Sequence, residues 1–167
     1  MPTTTLKINR PDDELYIIKI DGSDKKIVLD MMDVDLPYKA NKTYAAINKA
    51  YDVCKGNIQA IQNKYKGSGN KEAKHGLMSD EEREISAEYK KMYEKCSGYC
   101  DQLLGEGVMD AIFHKHYYVT MFDDLFTQLE PIIEEMQKNL PAVKERIQKK
   151  YGSKNAAEET GTVLKAG

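Results

Sequence analysis

Residues 79–104 read SDEEREISAEYKKMYEKCSGYCDQLL, and this stretch decides the fold class. Ile85, Tyr89, Met92, Cys96, Tyr99 and Leu103 recur along it at spacings of three and four. At 3.6 residues per turn such spacing places every one of them on one narrow stripe of an α-helix. Ser79 stands where a cap is needed, and Glu82, three residues on, completes a capping box. The acidic run Asp80-Glu81-Glu82 suits the positive end of the helix dipole. A stripe this narrow is stable only when another helix covers it.

Two other stretches repeat the pattern. Tyr44, Ile47, Tyr51, Cys54, Ile58, Ile61 and Tyr65 form one; Phe122, Phe126, Leu129, Ile133, Met136, Leu140, Val143 and Ile147 form the other. The expected fold is mainly α, a bundle of long amphipathic helices over residues 35–151. Its helices are expected near 37–66, 79–104, 108–114 and 118–150, the last kinked near Pro131 and Pro141. Asp35 is a candidate cap for the first helix, with Pro37 tolerated in its first turn. Gly67-Ser68-Gly69-Asn70 ends that helix, and the polar segment 67–78 reads as a mobile loop. Long helices joined by a loop of about a dozen residues most simply form an antiparallel hairpin.

Residues 1–34 read differently. Leu15-Tyr16-Ile17-Ile18-Lys19-Ile20 and Lys26-Ile27-Val28-Leu29 flank the turn Asp21-Gly22-Ser23-Asp24, the signature of a β-hairpin. Leu6–Asn9 is a possible third strand. A small sheet is marginal alone, so it is expected to pack on the bundle. Residues 152–167 have little to bury and read as a flexible tail.

Composition narrows the function classes. The chain carries 25 basic and 27 acidic residues for a net charge of −2, no field that would gather a polyanion. The basic segment Lys64-Tyr65-Lys66 and Lys71–His75 is followed directly by acidic Ser79–Glu84, which opposes a phosphate backbone. Neither nucleic acid, a membrane nor a small-molecule substrate is expected as a partner. The longest apolar runs are far short of the ~20 residues a bilayer span needs, and no charged-then-apolar leader opens the chain. The expected location is the cytoplasm, where Cys54, Cys96 and Cys100 stay reduced and pack as small hydrophobes.

No constellation for catalysis is visible, and the expectation is a protein that is not an enzyme and needs no cofactor. Cys96 and Cys100 with His114 and His116 offer a zinc donor set, but Cys-x3-Cys with His-x-His matches no common zinc template. Cys54 lacks a positioned base, since His75 lies in the polar loop. Asp123-Asp124 and Glu134-Glu135 are neighbours on a helix and point about 100° apart, as solvated charges do. Gly105-Glu106-Gly107 lacks the Lys-Ser/Thr of a phosphate loop and reads as a turn between helices. With 11 Tyr, 3 Phe and no Trp, the seams suit a surface that is partly wet or awaits a partner.

The segment Tyr99-Cys100-Asp101-Gln102-Leu103-Leu104-Gly105-Glu106-Gly107, then Ile112-Phe113 and an acidic amphipathic helix, resembles tail assembly chaperones of phages and prophages of Gram-positive bacteria. The likeness covers the order of elements over residues 4–150. It implies a non-enzymatic protein of the bacterial cytoplasm that binds tape-measure or tail-tube protein and shields it from premature association. It further implies a partner surface at Leu104, Gly105, Glu106, Gly107, Phe113, Tyr117 and Tyr118. Two departures stand out: His114-Lys115-His116 where a Gly- or Asp-containing turn is expected, and the long 67–78 loop. The alternatives are a structural tail or connector subunit, which would stay in the particle, and a homo-oligomeric helical interaction protein.

Overall fold

The computed structural model describes residues 1–8, 14–67 and 76–149. Two strands come first, β1 (Leu15–Lys19) and β2 (Lys26–Asp30), paired as an antiparallel hairpin. Four helices follow: α1 (Leu36–Tyr65), α2 (Asp80–Leu104), α3 (Val108–Phe113) and α4 (Met121–Ile147). The protein is thus mainly α with a small N-terminal sheet, as the periodicity predicts.

The chain forms two compact units. One is built from Met1–Tyr16, Asp30–Tyr38 and the described residues from Phe122 onward; the other from Ile17–Leu29 and Lys39–Met121. In the first unit α4 buries Phe122, Leu125, Leu129, Ile132 and Met136, alternating by three and four as a seam requires. Phe122, Leu129 and Met136 are as expected; Phe126 and Ile133 are only half-buried because Leu125 and Ile132 take the inner positions. The helix begins at Met121 and not near 118, since Tyr118–Thr120 form a turn closed by Met121 N–H donating to the Tyr118 carbonyl at 3.1 Å. It runs through Pro131 and Pro141 without a break. Both prolines, and Thr127 and Gln137 whose carbonyls lose their usual donors, are exposed, so those carbonyls are not sealed away from solvent.

The expected third strand is absent over Leu6–Ile8, which form no strand and lie exposed; Asn9 is outside the described residues. Two apolar side chains bury too little to offset the entropy of ordering such a segment. The mobile loop expected at 67–78 falls on residues 68–75, and the tail on 152–167, both outside the described residues.

In the second unit Ile20, Ile27 and Leu29 turn inward, while Ile17 and Val28 face out, the period of two that a one-sided sheet demands. The hairpin packs on helices, and the Lys25 Nζ lies 2.6 Å from where a Cβ on Gly107 would stand. Asp33 prepares the entry to α1: its carboxylate accepts the Asp35 N–H at 2.9 Å and its carbonyl the Leu36 N–H at 3.2 Å. Along α1 the buried positions are Leu36, Ala40, Thr43, Ile47, Ala50 and Cys54. Tyr44, expected on this seam, is exposed because the small side chains of Ala40, Thr43 and Ala50 are the ones turned inward. At the start of α2 the capping box forms, with Glu82 N–H to Ser79 Oγ at 3.2 Å and Ser79 N–H to Glu82 Oε2 at 2.7 Å.

Candidate functional site

Helices α1 and α2 run antiparallel, as polar contacts along their length record. Lys64 Nζ lies 2.8 Å from Glu84 Oε1, and the Tyr65 hydroxyl donates to the same oxygen at 2.6 Å. One further turn along, Asn57 Nδ2 donates to Glu88 Oε2 at 3.1 Å and the Cys54 thiol to the Glu88 carbonyl at 3.7 Å. Deeper still, Tyr51 and Tyr93 share a hydrogen bond. The bond from Lys64, and then that from Tyr65, holds the Glu84 carboxyl below its ordinary range, while the Glu84 bond raises both the Lys64 ammonium and the Tyr65 phenol.

Between these helices lies a groove of about 600 Å³. Tyr51, Cys54 and Ile58 form its α1 wall, with Asp52 and Lys55 beside them. Tyr89, Met92 and Tyr93 form the α2 wall, and Tyr117, Tyr118 and Val119 close one side. Cys54, Met92 and Tyr93 are buried, whereas Tyr89 remains 45% exposed, Tyr118 43% and Val119 79%. The floor is buried and the rim is open. Burial raises the phenols of Tyr93 and Tyr117, and burial followed by Glu88 raises the Cys54 thiol. Tyrosine serves both parts of such a groove, its ring lying on apolar neighbours and its hydroxyl reaching a polar group.

The rings from the α3–α4 connection are placed by an unusual turn. Gly105 (φ 123°) and Gly107 (φ 73°) let the chain leave α2 and enter α3 in conformations that favour glycine. Asp101, one turn before the end of α2, reaches forward: its Oδ1 accepts the Met109 N–H at 2.8 Å and its Oδ2 the Gly107 N–H at 3.3 Å. It therefore caps a helix whose own cap residue has no side chain. After α3 the chain reverses through His114 (φ 52°) and Lys115 (φ 60°), both left-handed. This reversal uses no glycine. It delivers Tyr117 to stack on Tyr93, ring centres 5.8 Å apart and planes 3° from parallel. Phe113 meets Tyr118 edge-on at 5.8 Å.

Of the residues singled out in the sequence, Phe113, Tyr117 and Tyr118 come together at the groove's side. Leu104 is buried, Gly105 and Gly107 serve the turn, and Glu106 is exposed within it. Tyr51, Tyr89 and Met92 belong to the stripes expected of a core, and Tyr93 lies off them. The signal that could have found them was the bias toward Tyr on paired seams.

Cys96 and Cys100 are fully buried, and desolvation pushes their thiols up to about 11 and about 12. Burial thus holds both thiols neutral at pH 7, whereas a nucleophilic cysteine must be thiolate. His114 and His116 are exposed on the turn. Among the described residues no three of His, Cys, Asp and Glu gather where they could hold a metal ion, and no helix is long and apolar enough to cross a membrane.

In comparisons with protein-family models, with curated proteins and with solved structures, no match to the chain was found.

Proposed function

We propose that the chain is a non-enzymatic phage or prophage protein that assists tail assembly in the host cytoplasm by binding tape-measure or tail-tube protein. The observation that carries this reading is the open, tyrosine-lined groove of about 600 Å³ between α1 and α2. Its exposed rim rings, Tyr89 and Tyr118, suit an amphipathic helix laid into a groove, a mode in which apolar anchors spaced three and four apart supply most of the affinity. Tape-measure proteins are long and helical and would offer many such segments. Transient occupation would keep those segments from pairing with one another. Leu104, Gly105 and Gly107 shape the surface in this reading, while Phe113, Tyr117 and Tyr118 carry the contact.

The test is co-purification of the tagged protein from its host under phage- or prophage-inducing conditions, with mass spectrometry of bound partners and of finished particles. Enrichment of a tape-measure or tail-tube protein, with this chain missing from particles, supports the proposal. A stoichiometric place inside the particle would make it a structural or connector subunit, and capture of no phage protein would overturn both.

A further inference from the structure

The seam between α1 and α2 is closed at one end and open at the other. Cys54, Met92, Tyr93 and Cys96 are buried, but toward the α1–α2 loop Ile58, Ile61, Tyr65 and Ile85 are only half-covered and Tyr89 is exposed. Heptad-like spacing continues over this open half without loss, so the sequence specifies a seam that the described residues leave uncovered. The charges flanking it are sorted by helix. Between Cys54 and Tyr65, α1 carries Lys55 and Lys64 and no acid; from Asp80 to Glu88, α2 carries five acids against Arg83.

We infer that a second copy of this chain covers the open half, two α1–α2 hairpins lying face to face as a four-helix assembly. A twofold axis can arrange this in two ways. An axis across the helices sets α1 on its own counterpart, basic on basic and acidic on acidic. An axis along the helices sets each basic α1 half over the acidic α2 half of the other copy, with the open ends in register. Like charges in close approach cost affinity and opposite ones fix the register, so the charges select the second. Ile61 and Ile85 then lie within the interface, and Tyr89, an exposed ring where the open half meets the closed seam, is its aromatic anchor. The dimer covers Ile58 and Tyr89, two residues of the groove that the proposed function gives to a tail protein, so self-association and partner binding compete. Tail protein drives the dimer to monomer.

The test is sedimentation equilibrium of the purified full chain from micromolar to near-millimolar concentration, at low and high salt, for the wild type and for Tyr89→Lys and Lys55→Glu. The far-ultraviolet circular dichroism and melting of each variant are recorded beside it. The expected result is a dimer that salt weakens, whose dissociation constant rises at least about tenfold in Tyr89→Lys and by a few-fold, roughly that of one interface charge pair, in Lys55→Glu. Both side chains are exposed or on the rim, so native circular dichroism is expected in each. A monomer throughout the range would overturn the inference, as would a dimer indifferent to both substitutions. No tail protein enters the measurement, so the proposed function stands or falls on its own test.

Discussion

The Tyr117 ring lies flat against Tyr93, centres 5.8 Å apart, and so ties the connection after α3 to the middle of α2. The stack fixes the side of the groove and shields the raised Tyr93 phenol from water. An offset aromatic pair contributes about 0.5–1.5 kcal/mol beyond the area it buries. Tyr117→Ala is expected to lower stability by about that much or a little more and to weaken binding of a tail protein. Tyr117→Phe should retain both, because the stack needs the ring and not the hydroxyl. Urea unfolding and a binding titration on the three proteins check this; equal losses in the two variants would sink it.

Asp101 joins α2 to α3 by accepting two backbone N–H groups beyond the end of α2, those of Gly107 and Met109. Asp101→Ala leaves both without that acceptor at a part-buried site, a loss of about 1–2 kcal/mol. Asp101→Asn keeps one acceptor oxygen and should cost about half as much. Hydrogen exchange of the Gly107 and Met109 amides locates the effect, since both should exchange faster in Asp101→Ala while the first turns of α2 stay protected.

Gly56 and Gly98 stand inside long helices, and nothing lies within 4 Å of the place a Cβ would occupy at either. Ala at each position should therefore raise stability by about 0.5–1 kcal/mol, the propensity difference alone. The opposite exchange applies at Lys115, held at φ 60°, where Lys115→Gly should stabilise by about 0.5–1 kcal/mol. Thermal melts of the single variants and of the triple variant test both sign and additivity. A fall in melting temperature for Gly56→Ala or Gly98→Ala would mean that a partner chain approaches that helix face.

The buried thiols predict a pH response. Cys96 rises from 9.0 to about 11 and Cys100 to about 12, chiefly because burial disfavours the thiolate. A folded pKa above the unfolded value means that the neutral form is the one the fold stabilises. That contribution is complete below about pH 9 and is lost as pH climbs from there toward 11 and 12. Stability should thus fall steeply above pH 9, and Cys96→Ala/Cys100→Ala should flatten that fall even though it lowers stability at neutral pH. Alkylation by iodoacetamide at pH 8 should be slow in the native protein and fast in urea. Fast native labelling at either position would contradict the burial.

How far the sequence could be read follows from what each reading rests on. Helix placement rests on period, a property of many residues at once, and the ends at Tyr65, Ser79 and Leu104 were legible from glycine and capping signals. The inward face of each helix was less legible, because the three-four pattern counts the Tyr44 ring as apolar and Thr43 as polar while packing turned the smaller residue inward. On α2 the inward face likewise turned to Cys100 and Leu104 and left Tyr99 and Leu103 half-covered. The left-handed pair His114-Lys115 carries no glycine and so gave no local signal, and the reach of Asp101 across the turn depends on a geometry that spacing does not encode. The groove was hidden for a related reason: its lining residues are those a seam would use, and only their exposure tells a groove from a core.

The central claim, that the tyrosine groove receives a tail protein, is tested most directly by photo-cross-linking in the induced host. A benzophenone amino acid replaces Tyr89 on the groove rim, and adducts are identified by mass spectrometry. The account predicts adducts to a tape-measure or tail-tube protein that disappear when the same probe is placed at exposed Lys39, on the N-terminal part of α1. Adducts to this chain alone, or to no phage protein, would contradict it.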